Sequence, residues 1–215
     1  MAMIGTQRAV FLDKDGTLIE DVPYNVDPAR IRLMPGAAEA LRALHRASYL
    51  LIVISNQSGV ARGYFPETAL VAVEARLRAL LAAIGVPLAG FYYCPHHPDG
   101  VVPEYAVSCI CRKPSHGLII RAGREHDIDR AASWFVGDIL DDVEAGNRAG
   151  CRTLLIDNGG ETLWEVGPDR TPDAIARDFA EAARIITQGT AEPVYQPGLP
   201  VSDTQTRGAL HAPPD

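Results

Sequence analysis

An α/β fold, with a parallel sheet covered by helices on both faces, is what this chain predicts, and three observations carry the prediction. Apolar runs without alternation at 8–12, 49–54, 134–136 and 152–156 read as strands buried on both sides. Between them lie stretches whose apolar residues recur every three or four positions, the spacing of a helix that buries one face. Strand and helix therefore alternate along the chain, which is the order a parallel sheet requires, because each crossover has to return over a face of the sheet.

Each element has its own local reason. The first strand, 8–12, runs into Asp13-Lys14-Asp15-Gly16-Thr17. Two carboxylates cannot stay inside a buried sheet, so the chain leaves it at Asp13. A polar loop over 20–30 follows. Pro35-Gly36 then opens a helix with Ala37, Ala40, Leu41 and Leu44 on one side. The second strand, 49–54, ends in another polar loop, Ser55-Asn56-Gln57-Ser58-Gly59. Residues 67–84 predict a long helix with Leu70, Val73, Leu77, Leu80 and Leu81 on its apolar side, and 91–93 a short strand. The stretch 94–114 is too long and irregular for a plain connection. A helix at 118–126, the strand 134–136, a helix at 140–149 and the strand 152–156 come next, and 172–187 is expected as the closing helix. Beyond 189, Pro, Gly, Ser and Thr dominate. Residues 1–188 are thus expected to form the domain, and 189–215 a flexible tail.

A length of 215 residues suits one such domain, and 47% apolar with 22% charged residues is ordinary for a soluble globular protein. The net charge of −7 argues against a general nucleic-acid binder but leaves small anionic substrates open, since local groups bind these. No apolar run reaches the ~18 residues of a membrane span, and no signal peptide opens the sequence. The expectation is a cytoplasmic protein, monomeric, with no membrane or nucleic-acid partner.

The chemistry begins at Asp13 and Asp15. In an open α/β sheet, ligands bind outside the carboxyl ends of the strands, which is where this pair falls. One carboxylate there can serve as nucleophile and Mg²⁺ ligand, the other as general acid and base. Gly16 gives the backbone the freedom to turn both side chains towards one point. By itself the pattern fits equally a turn in which Asp and Gly cap the next element. A calcium loop of the EF-hand kind would need Glu at its twelfth position, and that position is Tyr24. Two later clusters point the same way as the aspartates. Arg112-Lys113-Pro114 offers cations for phosphoryl oxygens. Asp138 follows a strand as a metal ligand would, and Asp142, one helical turn on, can support it from behind.

The irregular stretch carries a second signal. Cys94-x-His96, twelve intervening residues, then Cys109-x-Cys111 supply three thiolates and an imidazole, the donor set of a closed tetrahedral Zn²⁺ site. His97 competes with His96 for the fourth position. Cys151, flanked by Gly150 and Arg152, reads as a packing residue.

In this order, Asp13-Lys-Asp15-Gly-Thr17, Ser55-Asn56-Gln57-Ser58-Gly59, Arg112-Lys113-Pro114 and Gly137-Asp138-(x)₃-Asp142 resemble the four motifs of haloacid-dehalogenase (HAD)-type phosphatases. With the cysteine/histidine insertion, the chain is similar to the zinc-containing heptose bisphosphate phosphatases of subclass IIIA and the related histidinol-phosphatase domains. The resemblance covers roughly residues 8 to 187. It implies the HAD fold: a Rossmann-like parallel sheet with helices on both faces, no large cap, and a zinc-binding loop within 94–111 that helps to shape the entrance. It implies Asp13 as nucleophile, Asp15 as general acid and base, Ser55 and Lys113 on the phosphoryl group, and Mg²⁺ on Asp13, the Asp15 backbone carbonyl and Asp138. It places Asp21, Tyr24, Asn56, Gln57, Ser58 and Arg112 on the substrate, a sugar phosphate, and Zn²⁺ on Cys94, His96, Cys109 and Cys111 in a structural role. One position departs from the family: the residue after Asp138, often lysine there, is Ile139. That substitution is expected to weaken the grip on a second anionic group unless Arg62 or another base replaces the lost cation.

Two readings from other classes are weaker. A phospho-accepting receiver module also uses a carboxylate, Mg²⁺, a hydroxyl and a lysine, but it carries no acid two residues after the acceptor, as Asp15 is here. A structural zinc protein without catalysis would have no use for Asp13, Asp15, Lys113 and Asp138 together.

Overall fold

The computed structural model describes residues 7–159, 161, 165 and 167–189. The tail expected from 189 onward therefore lies, after Gly189, outside the described residues. Strands β1 (Arg8–Leu12), β2 (Tyr49–Asn56), β3 (Gly90–Cys94), β4 (Trp134–Gly137), β5 (Arg152–Ile156) and β6 (Ala174–Ala176) form a six-stranded sheet in the order β3-β2-β1-β4-β5-β6. Every pairing is parallel. Helices α1 (Ala37–Arg46), α2 (Ala69–Ala83), α3 (Gly117–Glu125), α4 (Leu140–Ala149) and α5 (Phe179–Gln188) cover the sheet.

The alternation of side chains along each strand decides which helices lie on which face. Val10 and Leu12 of β1, with Leu51 and Val53 of β2, pack into one core with α1, α2 and α5. Ala9 and Phe11, with Ile52 and Ile54, pack into the other with α3 and α4. Both faces are apolar, and this is why the strands read as continuous apolar runs.

The closing segment differs from expectation. Residues 172–187 are not one helix: Ala174–Ala176 pairs in parallel with β5, Ile175 opposite Leu155, and α5 starts only at Phe179. The physical reason is Asp178, whose carboxylate accepts from Glu181 N at 2.8 Å and caps the helix there. A three-residue edge strand is too short to show a period of its own. The loop over 20–30 also holds a turn of 3-10 helix, Pro28–Arg30, capped by Asp27.

The order of the strands reverses between β1 and β4. The chain runs β1, β2, β3 to one edge, then returns to the middle and runs β4, β5, β6 to the other. Two neighbouring loops thus diverge over opposite faces at that point and leave a crevice at the carboxyl ends.

Candidate active site

Asp13 leaves β1, and Asp138 leaves β4, at that crevice. The backbone N–H of Asp13 still donates to Val136 O at 2.9 Å, so the two loops start in register. The carboxylates of Asp13, Asp138 and Asp142 lie with oxygens within 4.8 Å of one another, and all three residues are buried or nearly so. Two glycines make the approach possible. A Cβ on Gly16, whose φ is +78°, would run into the Asp138 carboxylate, and one on Gly137 into Asp142. Thr17 Oγ1 donates to Asp138 Oδ1 at 3.2 Å and fixes its orientation.

Lys113 arrives from the other side. Its ammonium, 3% exposed, donates to Asp13 Oδ1 and to Asp142 Oδ1, the latter at 2.5 Å. Burial alone would lower its pKa, but the Asp13 and Asp142 charges outweigh this and raise it, so it stays a cation. The lysine is held by the backbone as well. Asn56 Nδ2 donates to Lys113 O at 3.1 Å, and Lys113 N donates to Asn56 Oδ1 at 3.0 Å. Asn56, expected on the substrate, thus spends its amide on placing Lys113. A turn closed by Ser115 N donating to Arg112 O at 2.8 Å completes the support, and its Lys113–Pro114 peptide is cis.

One ammonium does not balance three carboxylates. Burial, with the Asp13 charge adding to it, pushes Asp138 up to about 7. Burial also raises Asp15, Asp13 adds, and the Lys14 ammonium pulls back. Hard oxygen donors gathered with surplus negative charge fit a small divalent cation such as Mg²⁺, which would reverse that upward push.

Beside this cluster a cavity of about 250 Å³ opens, walled by the loops after β1 and β2. Asp15, Asp21, Tyr24, Asn56, Gln57 and Ser58, all selected from the sequence, lie on its walls. Arg112 does not; its guanidinium reaches the His96 carbonyl at 3.4 Å. Ile139 is half-buried at the head of α4 and also stands apart from this cavity. Ser55 is buried, and its Oγ accepts from Gln57 Nε2 at 2.8 Å.

Lys14 and Tyr64 are among the residues around the site that the sequence did not single out. Lys14 is 2% exposed, and its Nζ lies 2.7 Å from Asp15 Oδ1. Position alone, between two aspartates, was the only signal for it. Tyr64 packs edge-on to Tyr24, ring centroids 4.6 Å apart, and nothing in its spacing singled it out.

Sγ of Cys94, Cys109 and Cys111 and a ring nitrogen of His96 also converge within 4.8 Å. His96 Nδ1 lies 3.3 Å from Cys111 Sγ and 3.6 Å from Cys94 Sγ. His97 is turned away, with Nε2 3.1 Å from the Arg62 guanidinium. Of the two histidines, His96 is the one in ligand position, and three thiols with one imidazole make a donor set that fits Zn²⁺. The cluster is tied to the body through Glu67, which accepts from Tyr93 of β3 at 3.0 Å and from Tyr105 of the loop at 2.8 Å.

A parallel sheet with an Asp-x-Asp turn at its switch point, faced by a buried lysine and a further aspartate, defines a HAD-type hydrolase. The HAD-hydrolase-like family model matches residues 110–182. A D-glycero-beta-D-manno-heptose-1,7-bisphosphate 7-phosphatase from Yersinia pestis is 36% identical, covering 83% of this chain and 94% of that protein. The Haemophilus influenzae protein of the same name is 42% identical over 83% of this chain and 96% of its own length. Among solved structures, D,D-heptose 1,7-bisphosphate phosphatase from B. bronchiseptica, complexed with magnesium and phosphate, matches at a TM-score of 0.73 and 32% identity, covering 86% of this chain and 100% of that one. The chain belongs to the D-glycero-beta-D-manno-heptose-1,7-bisphosphate 7-phosphatase family of HAD-like hydrolases.

Proposed function

We propose that this protein is a Mg²⁺-dependent phosphatase that removes the 7-phosphate of D-glycero-D-manno-heptose 1,7-bisphosphate through an aspartyl-phosphate. The observation that carries the reading is the meeting of Asp13, Asp138 and Lys113 at the crevice, beside a cavity with Asp15 in its wall. An Asp13 oxygen attacks phosphorus as the bond to the sugar oxygen breaks, and Asp15 gives its proton to that oxygen. Asp15 then takes a proton from water, which attacks the aspartyl-phosphate, releases inorganic phosphate and restores Asp13. Ser55 and Lys113 donate to the phosphoryl oxygens, Lys113 from a position prepared by Asp142 and Asn56. Asp13, the Asp15 carbonyl and Asp138 would hold Mg²⁺, which when bound screens the repulsion between carboxylate and phosphate.

The walls of the cavity, Asp21, Tyr24, Gln57 and Ser58, orient the sugar. Cys94, His96, Cys109 and Cys111 hold a structural Zn²⁺. The reading places the protein in the cytoplasm as a monomer, in the making of nucleotide-linked or lipopolysaccharide heptose. Among the described residues no helix is long and apolar enough to cross a membrane.

Motifs do not choose among phosphate esters, so the test is a substrate panel. Purified protein with Mg²⁺ should hydrolyse the heptose 1,7-bisphosphate with a higher kcat/KM than histidinol phosphate or common hexose phosphates. A preference for histidinol phosphate would move the protein to the neighbouring activity, and no Mg²⁺-dependent release of phosphate from any of them would end the reading.

A further inference from the structure

Lys14 and Gln57 are two wall residues without a task in the chemical steps, and Gln57 is assigned above only to the sugar. Lys14 is an ammonium at 2% exposure, and lysine is almost never fully buried unless paired. Among the described residues its one hydrogen-bond partner is Asp15 Oδ1, at 2.7 Å. Gln57, 6% exposed, donates from Nε2 to the other oxygen, Asp15 Oδ2, at 3.3 Å, and to Ser55 Oγ at 2.8 Å. Each oxygen of Asp15 is thus held by a different donor. A carboxylate has about four lone-pair sites, so both oxygens can be held while one still carries or receives the proton. The two lysines divide the work: Lys113 serves Asp13, and Lys14 serves Asp15.

We propose that Lys14 and Gln57 are positioning residues that clamp Asp15 in line with the leaving oxygen, Gln57 coupling that acid to the phosphate-binding Ser55. This rests on the phosphatase reading above. Its consequence is selective. Protonation by Asp15 matters most when the departing group is a poorly stabilised alkoxide, as from a sugar. It matters little for p-nitrophenolate, which is stable as an anion near neutral pH. A residue that only supports the fold, or only binds the sugar, would not sort substrates by their leaving group.

The experiment is single-turnover phosphoryl transfer by full-length protein with Mg²⁺, for wild type, Lys14→Met, Lys14→Arg and Gln57→Met. The two substrates are the heptose 1,7-bisphosphate and p-nitrophenyl phosphate. The saturating rate of Lys14→Met on the heptose ester should fall about 10- to 100-fold, the scale of a misplaced catalytic group. Its loss on p-nitrophenyl phosphate should be several times smaller. Lys14→Arg, which keeps a cationic donor, should recover part of the loss. Methionine keeps the buried stem of the side chain; should that variant not fold, Gln57→Met carries the same test with the same expected signature. Equal losses on both substrates would overturn the clamp, as would a loss confined to half-saturation by the sugar. A wild type inactive on both would instead remove the phosphatase reading on which the clamp rests.

Discussion

At the scale of single residues, the site works by opposing charges at short range. Asp13 is held against Lys113 and crowded by Asp138, so its role and its charge can be separated. Asp13→Asn keeps the shape and the hydrogen bond from Lys113 but cannot attack phosphorus. Turnover should vanish while the circular dichroism spectrum and melting temperature stay close to wild type. Asp15→Asn should lower kcat on the sugar ester by about 10²- to 10⁴-fold, the usual worth of a positioned acid–base group. More than a tenth of wild-type activity in either variant would contradict these roles. Gly16 gives a second test. With φ at +78° and the Asp138 carboxylate where a Cβ would go, Gly16→Ala should displace Asp138, raising the Mg²⁺ concentration needed for half-maximal activity together with a loss of kcat. An unchanged Mg²⁺ requirement would mean that the turn yields without moving the ligand. Asp13-x-Asp15-Gly alone fits a capping turn equally, and the carboxylates stood out in the sequence only because Arg112-Lys113 and Asp138 point to the same chemistry. Lys14 and the backbone duty of Asn56 did not, since a hydrogen bond across 57 positions, as from Asn56 to Lys113, leaves no local pattern.

At the scale of elements, periodicity and apolar runs located every α-helix and all but one strand among the described residues, and missed the 3-10 turn at Pro28–Arg30. They missed β6 because three residues on a sheet edge carry no measurable period, and a following helix of the right composition absorbed them. The Cys/His cluster was legible for a different reason: three thiols and an imidazole at close spacing are a donor set that fits Zn²⁺. Its position next to Arg112 and Lys113 was equally plain. What spacing did not reveal is how the loop is fastened, through Glu67 to Tyr93 and Tyr105. Burial of Cys94, with the neighbouring thiols adding, holds its pKa above the usual thiol range in the absence of a cation, and metal coordination removes that cost by taking the thiolate. Protein purified under reducing conditions should therefore contain one Zn²⁺ per chain. Cys109→Ser should lose it, and kcat should fall with it because the loop no longer holds Lys113 in place. Full activity in a zinc-free variant would show that the loop and Lys113 are independent.

At the scale of the whole molecule, a chain of net charge −7 can still take an anion where a buried lysine and a metal ion meet it locally, and a metal bound at the crevice would add to its stability. A ligand that binds only the native state adds about 2.7 kcal/mol at a hundred times its Kd. At about 2–4 °C per kcal/mol for a domain of this size, that is roughly 5–11 °C in Tm. The size of the shift should depend on pH, and its sign follows from Asp138. Burial, and then the Asp13 charge, lift its carboxyl from an ordinary 3.8 to about 7 in the metal-free protein. The native state therefore binds this proton more tightly than the unfolded chain. The stability it contributes is fully present below about 4 and is lost as pH rises to about 7. Mg²⁺ requires the ionised carboxylate and competes with that proton. Added Mg²⁺ should then raise Tm more at pH 7.5 than at pH 5.5, in protein kept zinc-replete so that the loop does not contribute. Asp138→Asn should lose both the shift and its pH dependence. Equal shifts at the two pH values would mean that Asp138 is ionised without metal, and that its neighbours, Thr17 and Lys113, already hold its charge.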